Sequence, residues 1–230
     1  MIIPSMVQGD FDRTTPSRDA IAPNIPDALT VGTLSALKTD GEVEVTGLAC
    51  AGETVINASF QELEVEGARF SHCCFAASDL SRSIFRDVIF EDCDLSNVVM
   101  DQVGFTRCSF VGCKLTGASF AEASFEDVTF KHCPLSFSAF TGSRWRHVSV
   151  LGCDFTGADM AEVNQRFVRV SECRFIETNF FRTALAGMDF TASVLENVSF
   201  SDSMTEFYGT KLSVYQAASL ARLLGVIVEE

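Results

Sequence analysis

The chain has 230 residues, a formal net charge of −14 and 47% hydrophobic residues, 21 of them Phe. So acidic a chain argues against nucleic-acid binding through a basic patch, and no apolar run is long enough to span a bilayer. Nine cysteines behind a start, Met1–Met6, that lacks the charged and long apolar regions of a secretory signal point to a reducing cytoplasm.

Residues 1–42 form a first segment. Four of the five prolines lie here, Pro4, Pro16, Pro23 and Pro26. Met1–Asp27 therefore reads as an irregular or mobile leader. Asp27–Lys38 is expected to form a short helix or a turn that covers the first coil of the patterned region beyond it.

From Val45 to Phe200 a large apolar residue recurs at every fifth position: Phe60, Val65, Phe70, Phe75, Leu80, Phe85, Phe90 and onward to Phe190, Leu195 and Phe200. Two residues before each sits a small or β-branched one, as at Ala68, Cys73, Ser78, Ser83 and Val88. A period of five fits neither a helix nor a flat strand, so it is a repeat. A second period of 20 overlies it. Cys73, Cys93, Cys113, Cys133, Cys153 and Cys173 obey it, as do Leu95, Leu115 and Leu135. A residue type that returns every fourth unit implies a square coil with stacked ladders. About eight coils at roughly 4.8 Å each give a rod about 40 Å long.

Gln165 breaks the apolar series one coil after Trp145, the only tryptophan. Both polar groups need partners if buried. The expectation is that they face each other or a shared water. The alternative is that residues 161–170 distort locally and shape a binding surface.

From Ser213 the spacing becomes helical through Val214, Ala217, Ala218, Ala221 and Leu224, with Ser213 as N-cap and Gly225 as stop. Val226–Val228 reads as a short strand. Leftover apolar surface on such a cap suits a homodimer. Its candidate interface is Val214, Tyr215, Leu220, Leu224, Val226 and Val228. The segments are thus 1–42, leader and possible cap; 43–208, the coils; and 209–230, the capping and dimerisation tail.

The repeats Ala158-Asp159-Met160, Ser78-Asp79-Leu80, Cys93-Asp94-Leu95, Cys153-Asp154-Phe155 and Thr178-Asn179-Phe180 resemble the Ala-Asp/Asn-Leu-x-x motif of the pentapeptide-repeat family. The resemblance covers about two thirds of the chain and implies an all-β fold, a right-handed quadrilateral β-helix, here with a C-terminal α-helix. The tail from Tyr215-Gln216-Ala217 to Val228 resembles the Qnr and MfpA quinolone-resistance subgroup. That likeness implies a twofold dimer. It also implies a rod whose shape and acidity resemble duplex DNA and which engages DNA gyrase or topoisomerase IV without binding nucleic acid itself.

Catalytic chemistry finds little support. The cysteine ladder reads as small core residues, because stacked side chains run parallel and there is no close C-x-x-C pair. Cys74, next to Cys73, faces the other way and is the thiol expected outside. His72 and His132 lie three coils apart and cannot share a metal. No nucleophile–base motif or phosphate loop appears, and a Phe core leaves little room for a substrate. No catalytic residue, metal, cofactor or membrane partner is expected.

Between Val45 and Thr205 there are 21 acidic and 12 basic residues, a net of −9. Many bases have an acid one coil away, which stacked strands bring together: Glu62–Arg82, Glu66–Arg86, Asp87 and Asp127 with Arg107, Asp94–Lys114, Glu126–Arg146, Asp154–Arg174, Glu162–Arg182 and Asp189–Arg169. Acids without such a base fall into two groups. Asp79, Asp101, Glu122 and Asp159 lie near one face; Glu91, Asp92 and Glu172 lie near another. These are the candidate partner-binding acids. A 40 Å length of duplex carries about 23 charges, so the rod is a dilute mimic. The competing expectation is a non-catalytic interaction scaffold that uses the ladder Ser96-Thr116-Ser136-Thr156 or the basic group Arg144, Arg146, Arg166 and Arg169.

Overall fold

The structure is a computed structural model and describes residues 19–34 and 43–229. In chain order the strands are β1 Thr30–Val31, β2 Val43–Thr46, β3 Leu48–Ala51, β4 Leu63–Ser71, β5 Ile84–Glu91, β6 Gly104–Thr106, β7 Ser109–Val111, β8 Ser124–Glu126 and β9 Thr129–Lys131. They continue with β10 Arg144–Arg146, β11 Ser149–Leu151, β12 Asn164–Arg166, β13 Arg169–Ser171, β14 Arg174–Ile176 and β15 Val194–Glu196, before the C-terminal helix α1, Val214–Leu223.

The five-residue period becomes a backbone rhythm. At every fifth residue from Gly47 to Gly187 the chain takes a positive φ and turns a corner. Four corners fall in each 20 residues, so every coil is a square. Strand pairing is parallel with an offset of 20, as in Phe85↔Phe105↔Phe125 and Phe90↔Phe110↔Phe130. One ladder, β12-β10-β8-β6-β5, and its neighbour, β5-β7-β9-β11-β13, form adjacent sides of one sheet. This is the expected four-sided β-solenoid, about eight turns with a helix at its end.

Side chains at the fifth positions fill the axis. Phe70, Phe90, Phe110 and Phe130 stack with ring centroids 5.2, 4.9 and 5.0 Å apart. Phe85, Phe105 and Phe125 stack at 5.3 Å each. The distances arise from the strand spacing, which sets one ring per coil. Burying each ring contributes about 1.5–3 kcal/mol.

Trp145 ends one stack. Its indole tilts 59° from Phe125 and its Nε1 donates to Ser143 Oγ at 3.0 Å. Gln165 does not meet it. The Gln165 amide nitrogen donates instead to the carbonyls of Ala184 and Ala186, at 2.9 and 3.1 Å. The expectation of a Trp145–Gln165 pair is therefore corrected: β12 is the last strand on its side. Where the ladder stops, the amide reaches across to carbonyls of the next coil. A cavity of about 10 Å³ lies beside them among Val150, Phe155 and Phe175.

At the C-terminal end Ser213 caps α1. Its Oγ accepts from Gln216 N and the Gln216 side chain accepts from Ser213 N at 2.8 Å, a capping box. Gln216 Nε2 also donates to Phe190 and Ser193 carbonyls at 2.8 and 2.7 Å, so one side chain starts the helix and closes the last coil. Gly225, with φ 79°, comes just after the helix as expected. Val226–Val228 is not a strand; Val226 N instead bonds back to the Ala221 carbonyl at 3.0 Å.

Residues 19–26 are irregular, but they lie along the rod, and Thr30–Val31 forms strand β1 on β3 rather than a helix. Leu34 is fully buried in the core. The first 18 residues, and residues 35–38 of the expected cap, lie outside the described residues.

Candidate interaction faces

Asp79 and Asp159 stand on one outward ladder, Asp79-Val99-Ser119-Ala139-Asp159. They are four coils apart, about 19 Å. Asp101 and Glu122 lie beside this ladder, so the four acids form a sparse line with uncharged residues between them.

Each of these acids is an acceptor within the coil. Asp79 accepts from Ser81 N at 2.9 Å and Ser81 Oγ at 2.5 Å, and also from Gln61. Asp101 accepts from Ala121 N and Ser119 Oγ at 3.0 and 2.5 Å. Asp159 accepts from Ala161 N, Asn179 Nδ2 and Thr141 Oγ1 at 3.1, 2.9 and 2.9 Å. Gln102 donates to Glu122 at 3.0 Å. Partial burial pushes the Asp79 carboxyl up, but the bonds from Ser81 and Gln61 outweigh it and hold it below the ordinary carboxylate value. All four carboxylates are anchored by these hydrogen bonds.

In the second acidic group one ion pair departs from the 20-residue offset, and a histidine lies one coil from the next acid. Glu91 pairs diagonally with Arg69 at 3.2 Å, and Asp92 lies 4.0 Å from His72 Nδ1. Glu172 is exposed. Of the expected pairs, Glu62–Arg82, Asp87–Arg107, Asp94–Lys114, Glu126–Arg146 and Glu162–Arg182 form. Arg86 reaches Glu64 at 3.9 Å rather than Glu66. Asp189 pairs with Lys211 at 3.5 Å and Arg169 with Asp19. Asp189 also bridges to Lys211, 22 residues on, so the last turn is longer than the 20-residue coil.

The basic group is real but partly engaged. Arg144 and Arg146 flank Trp145 on β10, with Arg166 beside Arg146 on β12. Arg146 binds Glu126, and Arg166 lies 5.0 Å over the Phe167 ring. On the hydroxyl ladder, Ser96 and Thr156 donate to Asp94 and Asp154 at 2.6 Å each, so those groups are occupied within their turns.

The corner ladder Gly67, Asp87, Arg107, Asp127, His147 and Phe167 was not singled out by sequence reasoning, although its 20-residue spacing was legible. Asp87 and Asp127 are only 4% and 5% exposed. Arg107 grips Asp87 with two bonds, 2.7 and 2.5 Å. His147 Nδ1 lies 3.8 Å from Asp127, and its ring stacks on Phe167. The leader covers this corner: Ile21 N donates to Asp127 at 3.3 Å and Asn24 N to Asp87 at 2.8 Å.

At the tail, Val214 and Tyr215 are 83% and 87% exposed, and Leu224 and Val226 are half exposed. Val228 is partly covered. Leu220 is turned into the rod and buried. Ile227, absent from the expected interface, is among the most exposed apolar residues.

All nine cysteines are free thiols. Burial pushes the Cys108 thiol up to about 12, and Cys74 alone is not buried. Among the described residues no group of three or more His, Cys, Asp or Glu is placed to hold a metal. No helix among them is long and apolar enough to cross a membrane.

A family profile described as pentapeptide repeat region matches residues 83–160. The chain is 30% identical over 94 residues to the quinolone resistance pentapeptide repeat protein QnrB96 of Scandinavium goeteborgense. That alignment takes in 32% of this chain and 44% of the relative, so the chain spans less than half the length of the curated protein it matches. Among solved structures, a trypsin-treated form of QnrB1, a plasmid-mediated fluoroquinolone resistance protein, is 20% identical with a TM-score of 0.38, covering 83% of this chain and all of that one. HetL, a pentapeptide repeat protein involved in heterocyst differentiation regulation from Nostoc, is 15% identical with a TM-score of 0.37 over 77% of this chain and 88% of that one.

Proposed function

Because residues 83–160 are a pentapeptide-repeat region within one continuous solenoid, we propose that this chain is a non-catalytic, DNA-mimicking protein of the cytoplasm. Its partner is a type II topoisomerase, DNA gyrase or topoisomerase IV, which it modulates or protects from fluoroquinolones. The observation that carries the reading is the likeness to a quinolone resistance protein in a chain of net charge −14. Asp79, Asp101, Glu122 and Asp159 would face a basic DNA-binding surface as pre-positioned charges. Their internal hydrogen bonds favour this role, since a held carboxylate loses little freedom on binding. Glu91 contributes less, being partly offset by Arg69. Two rods joined through the exposed Val214, Tyr215, Leu224, Val226 and Val228 would double the mimic's length.

A second reading, a scaffold for another protein, draws on the exposed Arg144 and Arg166, which a basic surface would repel. A gyrase supercoiling assay with and without ciprofloxacin, titrated across salt, separates the two. Mimicry predicts inhibition at high protein or rescue from the drug at low protein, weakened by salt and by the set Asp79→Asn, Asp101→Asn, Glu122→Gln and Asp159→Asn. These changes remove charge and keep an acceptor, so a loss reports electrostatics and not a broken turn. No effect at micromolar protein leaves the scaffold reading.

A further inference from the structure

We propose that the corner ladder is a recognition groove for an extended, proline-bearing peptide, and that the chain's own residues 19–26 occupy it in cis as a displaceable strap. Two buried carboxylates point to a ligand rather than to the rod alone. Asp87 and Asp127 each spend an oxygen on a backbone N–H of the strap, from Asn24 and Ile21. Their own coils supply Arg107 and His147 as neighbours, and the strap brings Asp19, which binds Arg169.

The register explains why this occupant fits. Asp87 and Asp127 are two coils apart, about 9.6 Å at the strand spacing. Ile21 and Asn24 are three residues apart, and three residues of polyproline II rise about 9.3 Å and complete one turn. A polyproline-type strand therefore turns one N–H to the same side at every second coil. Pro23 and Pro26 fix φ and bias the residues before them towards the extended region. Near its end Pro26 lies against Gly67, where a Cβ would sit 2.9 Å from its Cδ. A helix or a β-strand has the wrong repeat for these two acceptors. The groove thus selects an extended segment with free N–H groups three residues apart, and any partner of that kind competes with the strap.

The test uses the full chain. Ile21→Pro with Asn24→Pro removes the two donors, keeps an extended backbone and leaves the rod untouched. Two measurements are made: amide hydrogen exchange of Ile21 and Asn24 in the unaltered protein, and fluorescence anisotropy of a labelled peptide of residues 18–28 against both proteins. The expected result is protection of those two amides, with the peptide binding the double variant at least about tenfold tighter than the unaltered chain, because the tethered strap competes at high effective concentration. The same peptide with proline at both donor positions should not bind. Unprotected amides, or a peptide that binds both proteins alike or neither, overturns the proposal.

Discussion

The corners concentrate strain in single residues. A non-glycine residue at positive φ costs on the order of 1 kcal/mol, yet His132, Phe137 and Glu162 accept it because the two flanking sides are fixed by parallel pairing. Gly157 shows the limit. Its φ is +67°, and an added Cβ would lie 2.6 Å from Cε1 of Phe137 one coil before. Gly157→Ala is expected to destabilise the fold by about 1–2 kcal/mol, and Phe137→Ala in the same chain should recover part of that. Paired denaturant titrations read both. The acidic side chains belong to this scale as well: Asp79, Asp101 and Asp159 fasten the coil before they meet any partner.

At the scale of an element, the ladder is the unit. Phe110 is fully buried, stacked between Phe90 and Phe130 and packed edge-on to Phe105. Phe110→Ala should cost about 3–5 kcal/mol and lower the thermal midpoint, whereas Phe137→Ala on the exposed corner should cost far less. Comparable losses at the two sites would contradict the stacked core. The end elements are built differently. The helix docks through Gln216 and Leu220, while Val214 and Tyr215 face outward.

For the whole molecule, the strap ties coils from Gly67 to Arg169 that otherwise touch only their neighbours. Burial pushes the Asp87 carboxyl up, but the Arg107 guanidinium and the Asn24 N–H outweigh it and hold it below the ordinary value. A group depressed in the folded state contributes stability above its unfolded pKa and loses it as pH falls through the folded value. The strap should therefore stay seated at neutral pH and loosen as pH drops below about 4. Hydrogen exchange at Asn24 measured against pH reads this, and protection unchanged down to acid unfolding of the rod would contradict it.

The sequence by itself determined the coil. Periods of five and 20 leave one way to stack large and small residues inward, and local register then dictates strand direction, core and most ion pairs. The capped helix was equally legible, because Ser213 and Gly225 act within one turn. Tertiary structure alone decided the rest. Nothing local says that residues 19–26 run along a corner, since their partners are more than 60 residues away. The diagonal Arg69–Glu91 pair and the shift of Asp189 to Lys211 depend on side-chain reach and on a longer last turn. Gln165 finds carbonyls of the next coil because its own strand ladder stops at β12. Each of these rests on where two distant parts of the backbone come to lie, a distance that a repeat period does not contain.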